Sequence, residues 1–199
     1  MLECRLAAVC APQRGLCARS VAVAEKFGAQ PALVQGLNVL EVGCGCGFRH
    51  PPCPAPPTPM LSRSMPRTLT EPSRAGRGRL AGLAAAAAGA AAVTLTDGYP
   101  PSVESARRNA AAAGEHVAAR CRAAQLVWGD SAAAAAAARA CGGAADVVLG
   151  ADVGYDPGSQ AELAATLVAA AAAVQPPARV LIAQECRWRV RRAAPRPRD

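Results

Sequence analysis

The sequence predicts an α/β domain, an open parallel sheet with helices on both faces. Three observations predict it. Short apolar or β-branched runs alternate with alanine-rich stretches of helical length, in the order β-α-β-α-β-α-β-α-β. The connections between runs are too long for hairpins, which favours parallel crossovers. The first run also opens directly into a glycine-rich loop, Gly43-Cys-Gly-Cys-Gly47.

Taken in order, Leu37–Val42 (LNVLEV) reads as a buried strand ending in that loop. Leu80–Ala92 (LAGLAAAAAGAAA) is rich in strong helix formers, and Val93–Thr96 (VTLT) is β-branched and closes at Asp97. Pro101 suits the first turn of a helix through SVESARRNAAAA, which Gly114 stops. Gln125–Trp128 is expected as the third strand, closing on Gly129-Asp130. An alanine helix to about Cys141 follows, then a Gly-Gly break. Asp146–Gly150 (DVVLG) is the fourth strand, Ser159–Val174 the next helix, and Arg179–Gln184 (RVLIAQ) the last strand. Residues 1–32 form an N-terminal segment without an assigned element, 33–186 the domain, and 187–199 a basic tail that offers nothing to a core.

Composition narrows the function classes. The chain has 199 residues, enough for one domain, and is 52% apolar but only 3% aromatic, with much of the apolar share in alanine. Its core is therefore expected to be thin. The net charge of +8 is confined to two stretches, 49–79 and 187–199, each with six arginines against a single acid. Neither interleaves aromatics for base stacking, so nucleic-acid binding by a folded basic face is not expected. Nine cysteines, an odd number without a C-x-x-C pair, and two isolated histidines argue against a zinc site or a disulfide framework. They fit a reducing compartment. Leu80–Leu95 is too short for a membrane span, and the N-terminus lacks a secretory apolar core. A cytoplasmic location is the expectation. An organelle transit peptide is the alternative, because the first twenty residues are poor in acids.

One stretch breaks the pattern. Residues 48–79 hold eight of the seventeen prolines and show no hydrophobic period, so a disordered insertion is expected there. A glycine loop normally precedes its ribose-binding acid by about 20 residues. Gly43 and Asp97 stand 54 apart, and removing the 32 residues from Phe48 to Arg79 leaves 22. The block therefore reads as an insertion between the loop and its helix; a genuine surface loop is the alternative.

In an open parallel sheet, ligands bind beyond the carboxyl ends of the strands, where the strand order reverses. The polar candidates all fall there. The runs VLEVGCGCG, VTLTDG, LVWGD and VVLGADVGYDP resemble the successive motifs of the seven-β-strand, S-adenosylmethionine-dependent methyltransferases. Among these the sequence is most similar to the protein-lysine methyltransferase group. Joining Gly47 to Leu80 gives GCGCGLAGLAAAAAGAAAVTLTDG, which resembles the family's uninterrupted loop and helix. The resemblance implies a Rossmann-like fold, truncated after the fifth strand, with S-adenosylmethionine as cofactor and no metal. It further implies a protein substrate carrying a target lysine, with neither nucleic acid nor membrane as partner.

Carried over residue by residue, the resemblance places Glu41 beside the cofactor's amino group. Gly43, Cys44, Gly45 and Gly47 become the loop that passes close to its methionine part. Asp97 would accept hydrogen bonds from the ribose hydroxyls, while Trp128 and Asp130 would hold the adenine and Ala151 would add a backbone contact. Asp152 and Tyr155 would face the incoming nitrogen as catalytic residues. Each has a blander reading: an Asp at a strand end is often a cap, Trp128 could be core, and D-x-x-Y-D-P is also turn chemistry. Two functional alternatives stand beside this one. One is a catalytically defective or mispredicted methyltransferase-like product. The other is an NAD-dependent dehydrogenase, which shares the glycine loop and Asp97 but leaves W-G-D and D-x-x-Y unexplained.

Overall fold

A computed structural model describes residues 18–45, 81–154 and 156–184. Helix α1 (Ala18–Ala29) precedes a short 3-10 turn (Pro31–Leu33) and strand β1 (Asn38–Val42). The chain resumes with α2 (Ala81–Ala87), β2 (Ala92–Asp97), α3 (Pro100–Ala112), α4 (Glu115–Ala118) and β3 (Cys121–Gln125). Helix α5 (Ser131–Ala140), β4 (Val147–Ala151), a 3-10 turn (Pro157–Ser159), α6 (Gln160–Ala172) and β5 (Arg179–Ala183) complete it.

All strand pairs are parallel, in the order β3-β2-β1-β4-β5. The chain winds outward from β1 to β3, then returns to the other side of β1 with β4. The carboxyl ends of β1 and β4 therefore flank the point where the order reverses, the place where such sheets hold ligands.

Alternation along the central strands builds two apolar layers. Val39 on β1 and Val147 and Leu149 on β4 join Val93, Leu95, Val23, Phe27 and Leu83 in one cluster on the α1–α4 side. Leu40, Val42 and Val148 face the other way, joining Leu163, Ala134, Ala138 and Val174 on the α5–α6 side. A strand buried on both faces reads as a nearly continuous apolar run, broken in β1 only by Glu41 within Val39–Val42, which is why β1 and β4 are so legible. Alanine supplies much of both layers and lets the helices lie close to the sheet.

The third strand differs from the expectation. The sequence predicts Gln125–Trp128, whereas the strand is Cys121–Gln125, paired from Val93↔Cys121 to Asp97↔Gln125. β3 is the outer strand beside β2, with half-exposed residues along its length, so it needs no apolar run. Leu126 closes the ladder by donating its N–H to the Asp97 carbonyl at 3.0 Å, and Val127–Gly129 continue as loop. The helix expected over Leu80–Ala92 is also shorter, since Gly89, in a left-handed turn, ends it before β2 begins. Helix α1 has no counterpart in the sequence reading; it buries Ala22, Val23 and Phe27. The 48–79 block and the 187–199 tail lie outside the described residues. Among those described, no helix is long and apolar enough to cross a membrane.

Candidate functional site at the carboxyl ends of the strands

β1 ends in a turn that bends at once. Gly43 adopts φ +73, in the left-handed region that costs a residue with a Cβ about 1–2 kcal/mol. Space excludes a Cβ as well, which would stand 2.9 Å from Trp128 Cζ2 and 3.0 Å from Val153 Cγ1. Gly43 is thus where the loop after β1, the loop after β3 and the loop after β4 meet.

The next residues are tied to β2. Cys44 N–H donates to the Thr96 carbonyl at 2.7 Å, and the Thr96 hydroxyl donates to the Glu41 carbonyl at 2.7 Å. Gly45 N–H donates to Asp97 Oδ2 at 2.8 Å, while Asp97 Oδ1 accepts from Tyr99 N–H at 2.9 Å. Asp97 therefore organises the mouth of the sheet with both oxygens. A carboxylate offers about four lone-pair directions. Half-exposed Asp97 can therefore accept further donors from solvent or a ligand.

Glu41 points to the opposite side of Val42 and is 1% exposed. Its Oε2 accepts the N–H of Gly82 at 3.1 Å, in the first turn of α2, where helical N–H groups lack partners within the helix. A Cβ on Gly82 would collide with Glu41 Oε2 and with Leu95 Cδ2. After the 48–79 block, the chain thus brings α2 back to seat its first turn against β1.

The loop after β3 holds Trp128 and Asp130. Trp128 is half-buried, packs against the α5–α6 layer and presents the edge of its ring to Gly43. Asp130 is exposed and caps α5, its Oδ1 accepting Ala133 N–H at 2.9 Å. Its other carboxylate oxygen has no part in that cap.

After β4, buried Ala151 leads to Asp152, which is 6% exposed and sits at φ +55. Aspartate tolerates this left-handed conformation better than most residues. Its N–H donates to the Ala183 carbonyl at 2.7 Å, and its Oδ1 accepts from Gln184 Nε2 at 3.4 Å. Gln184 Oε1 also accepts the Gly154 N–H at 3.0 Å.

The structure therefore brings Glu41, Gly43, Cys44, Gly45, Asp97, Trp128, Ala151 and Asp152 to one end of the sheet, with Asp130 on the adjacent helix cap. Gly47 and Tyr155 lie outside the described residues. Gln184 and Gly82 were missed by sequence reasoning. Gln184 follows the fifth strand directly, so the strand-end rule that selects Asp97 would have found it. Among the described residues no group of three or more His, Cys, Asp and Glu side chains could hold a metal ion. Away from this end, burial pushes the Cys121 thiol up to about 11, with Glu41 adding to the rise, so it makes a poor nucleophile near neutrality.

A family model described as lysine methyltransferase matches residues 75–193, more than half of the chain. The span covers α2 to β5 with Asp97, Trp128, Asp130, Ala151 and Asp152. It begins inside the 48–79 block, ends inside the 187–199 tail, and leaves Glu41–Gly47 outside. No curated protein matches the chain significantly.

Proposed function

The chain belongs to the lysine methyltransferase family and is a methyltransferase, and from that premise we propose that it methylates a lysine side chain of a protein, with S-adenosylmethionine held at the carboxyl ends of β1, β2 and β4. The observation that carries the reading is the junction at Gly43, Gly45 and Asp97. An acid at the end of the second strand fastens the loop after the first, beside the loop bearing Trp128. The residues suit the group chemically. Asp97 offers acceptors for a diol, Trp128 a half-buried aromatic ring for a purine, and Asp130 a carboxylate for an exocyclic amine. Glu41 and the loop Gly43-Cys44-Gly45, continued by Gly47, would take the amino-acid end, and Ala151 would contribute its backbone.

S-adenosylmethionine, when bound, supplies an electrophilic methyl group on a sulfonium sulfur. The chain's part is alignment and proton control. A lysine amine has an ordinary pKa of about 10.4, so it arrives protonated and must lose that proton to attack. Asp152, nearly buried at the end of β4, would accept the proton or orient the neutral amine, and Tyr155, three residues on in the sequence, would be the second catalytic group. Positioning of this kind can supply about 7–11 kcal/mol of a barrier.

Calorimetry tests the reading directly. The full chain should bind S-adenosylmethionine or its demethylated product, and nicotinamide dinucleotides should not compete. Asp97→Ala should weaken binding at least tenfold with an unchanged far-UV circular-dichroism spectrum. Unchanged affinity in that variant would remove Asp97 from the site.

A further inference from the structure

Thr166 is the one fully buried polar side chain described on α6, at 0% exposure. Its hydroxyl donates to the Glu162 carbonyl one turn back at 2.8 Å and accepts the Gly129 N–H at 2.9 Å. The single hydroxyl proton is thus committed within the helix, and that bond aims a lone pair at the loop after β3. Gly129 is pressed against the same helix. It sits at φ +92, and a Cβ there would stand 3.3 Å from Glu162 Cγ. The loop after β4 meets α6 too, with Gln160 Nε2 donating to the Gly154 carbonyl at 3.3 Å.

We propose that Thr166 is a positioning residue for the Trp128-Gly129-Asp130 loop, fixing where the tryptophan ring and the carboxylate stand and thereby setting affinity for the adenosine part of the cofactor. The proposal rests on the cofactor reading above. Gly129 lies between the two ligand-facing candidates, so anchoring its N–H fixes both neighbours at once. Trp128 in turn touches Gly43, which extends the anchor from α6 to the loop after β1. Valine at 166 would keep the shape and the helix. What it removes between elements is the acceptor for Gly129.

The test uses the full chain with Trp188→Phe, which leaves Trp128 as the single tryptophan of two. Thr166→Val and Thr166→Ser are compared with this parent in calorimetry with S-adenosylhomocysteine and in acrylamide quenching of Trp128 without ligand. Thr166→Val should weaken binding tenfold or more and raise the quenching constant at least twofold, with far-UV circular dichroism unchanged. Thr166→Ser, which keeps the acceptor, should return both values close to the parent. Parent-like affinity in Thr166→Val overturns the proposal, and so does lost affinity with unchanged quenching, because the loop would then not have moved. If the parent does not bind S-adenosylhomocysteine, the cofactor reading falls. Quenching in the ligand-free proteins then still decides whether Thr166 holds the loop. Should Thr166→Val fail to fold, Thr166→Ala is read by the same criteria.

Discussion

Gly82→Ala sets two physical effects against each other at the point where the chain returns from the 48–79 block. Helix propensity alone favours alanine over glycine inside α2 by about 1 kcal/mol. Packing opposes it. The new Cβ would collide with the carboxylate of Glu41 and with a methyl of Leu95, side chains that are 1% and 2% exposed. Overpacking of a core costs about 1–3 kcal/mol. Displacing the Glu41 carboxyl group from the Gly82 N–H, now 3.1 Å away, leaves that buried donor unsatisfied, at a cost of about 1–3 kcal/mol. Packing wins, and the net expectation is a loss of about 2–4 kcal/mol.

The assay is urea unfolding followed at 222 nm. With a slope near 2 kcal/mol per molar, such a loss lowers the midpoint by about 1–2 M at unchanged slope. The outcome turns on whether α2 is seated on β1 despite the residues between them. A Gly82→Ala variant as stable as the parent, or more stable, would refute the seating, because an undocked α2 reports propensity alone.

Other measurements check the rest. Gly43→Ala combines the left-handed cost of about 1–2 kcal/mol with overpacking against Trp128 and Val153 of about 1–3 kcal/mol, so its urea midpoint should fall by at least 1 M. Deleting Phe48–Arg79 should raise S-adenosylmethionine affinity at least tenfold in calorimetry, with little gain in melting temperature; equal affinity would make the block neutral to the site. Cys121 carries a thiol pKa of about 11 against an ordinary 9.0, so the folded state holds its proton more tightly. Its contribution to stability is complete below pH 9 and is lost as pH rises towards 11, and Cys121→Ser should flatten that alkaline decline in urea titrations. At pH 8 iodoacetamide should label Cys121 far faster in urea than in the native protein.

How much the sequence discloses depends on how local the determining physics is. β1, β2, β4 and β5 are recovered to within about a residue, because each reads as a short, largely apolar or β-branched run. β3 is misplaced because Cys121–Gln125 carries no such run, unlike β5 at the other edge of the sheet, and the apolar Leu126–Trp128 lies in the loop instead. α1 is missed although Val23 and Phe27 stand four apart with Glu25 and Lys26 between, because that spacing marks only a single turn of its twelve residues. The site follows the same division. Gly43, Asp97 and Asp152 are legible as strand ends. Gln184, directly after β5, belongs with them, whereas Thr166 acts through a bond to a residue 37 positions away, which leaves no local pattern.

The junction between β1 and α2 gives the chain's architecture its final constraint. Thirty-five residues separate Gly45 from Ala81, where the glycine loop would ordinarily run straight into its helix. Closure cost grows only with the logarithm of length, about 0.6 kcal/mol per doubling. At its flexible-chain limit, this connection costs about 2 kcal/mol more than one of four residues, since three doublings lie between them. Breaking the Glu41–Gly82 hydrogen bond would cost about 1–3 kcal/mol, which is of the same size, and the bond acts across the gap. Burial of Ala81, Leu83, Ala85 and Ala86 adds apolar area on the same helix. Folding can therefore absorb the block while the sheet and its helices keep their order. Catalysis is less tolerant, because about 1 Å of misplacement can cost a hundredfold. What fastens the loop independently of α2 is then decisive. The Gly45–Asp97 and Cys44–Thr96 bonds join it to β2 without using any residue of the block. The end of the sheet proposed to hold the cofactor is thus anchored from the β2 side, and the burden of precision falls on Asp97.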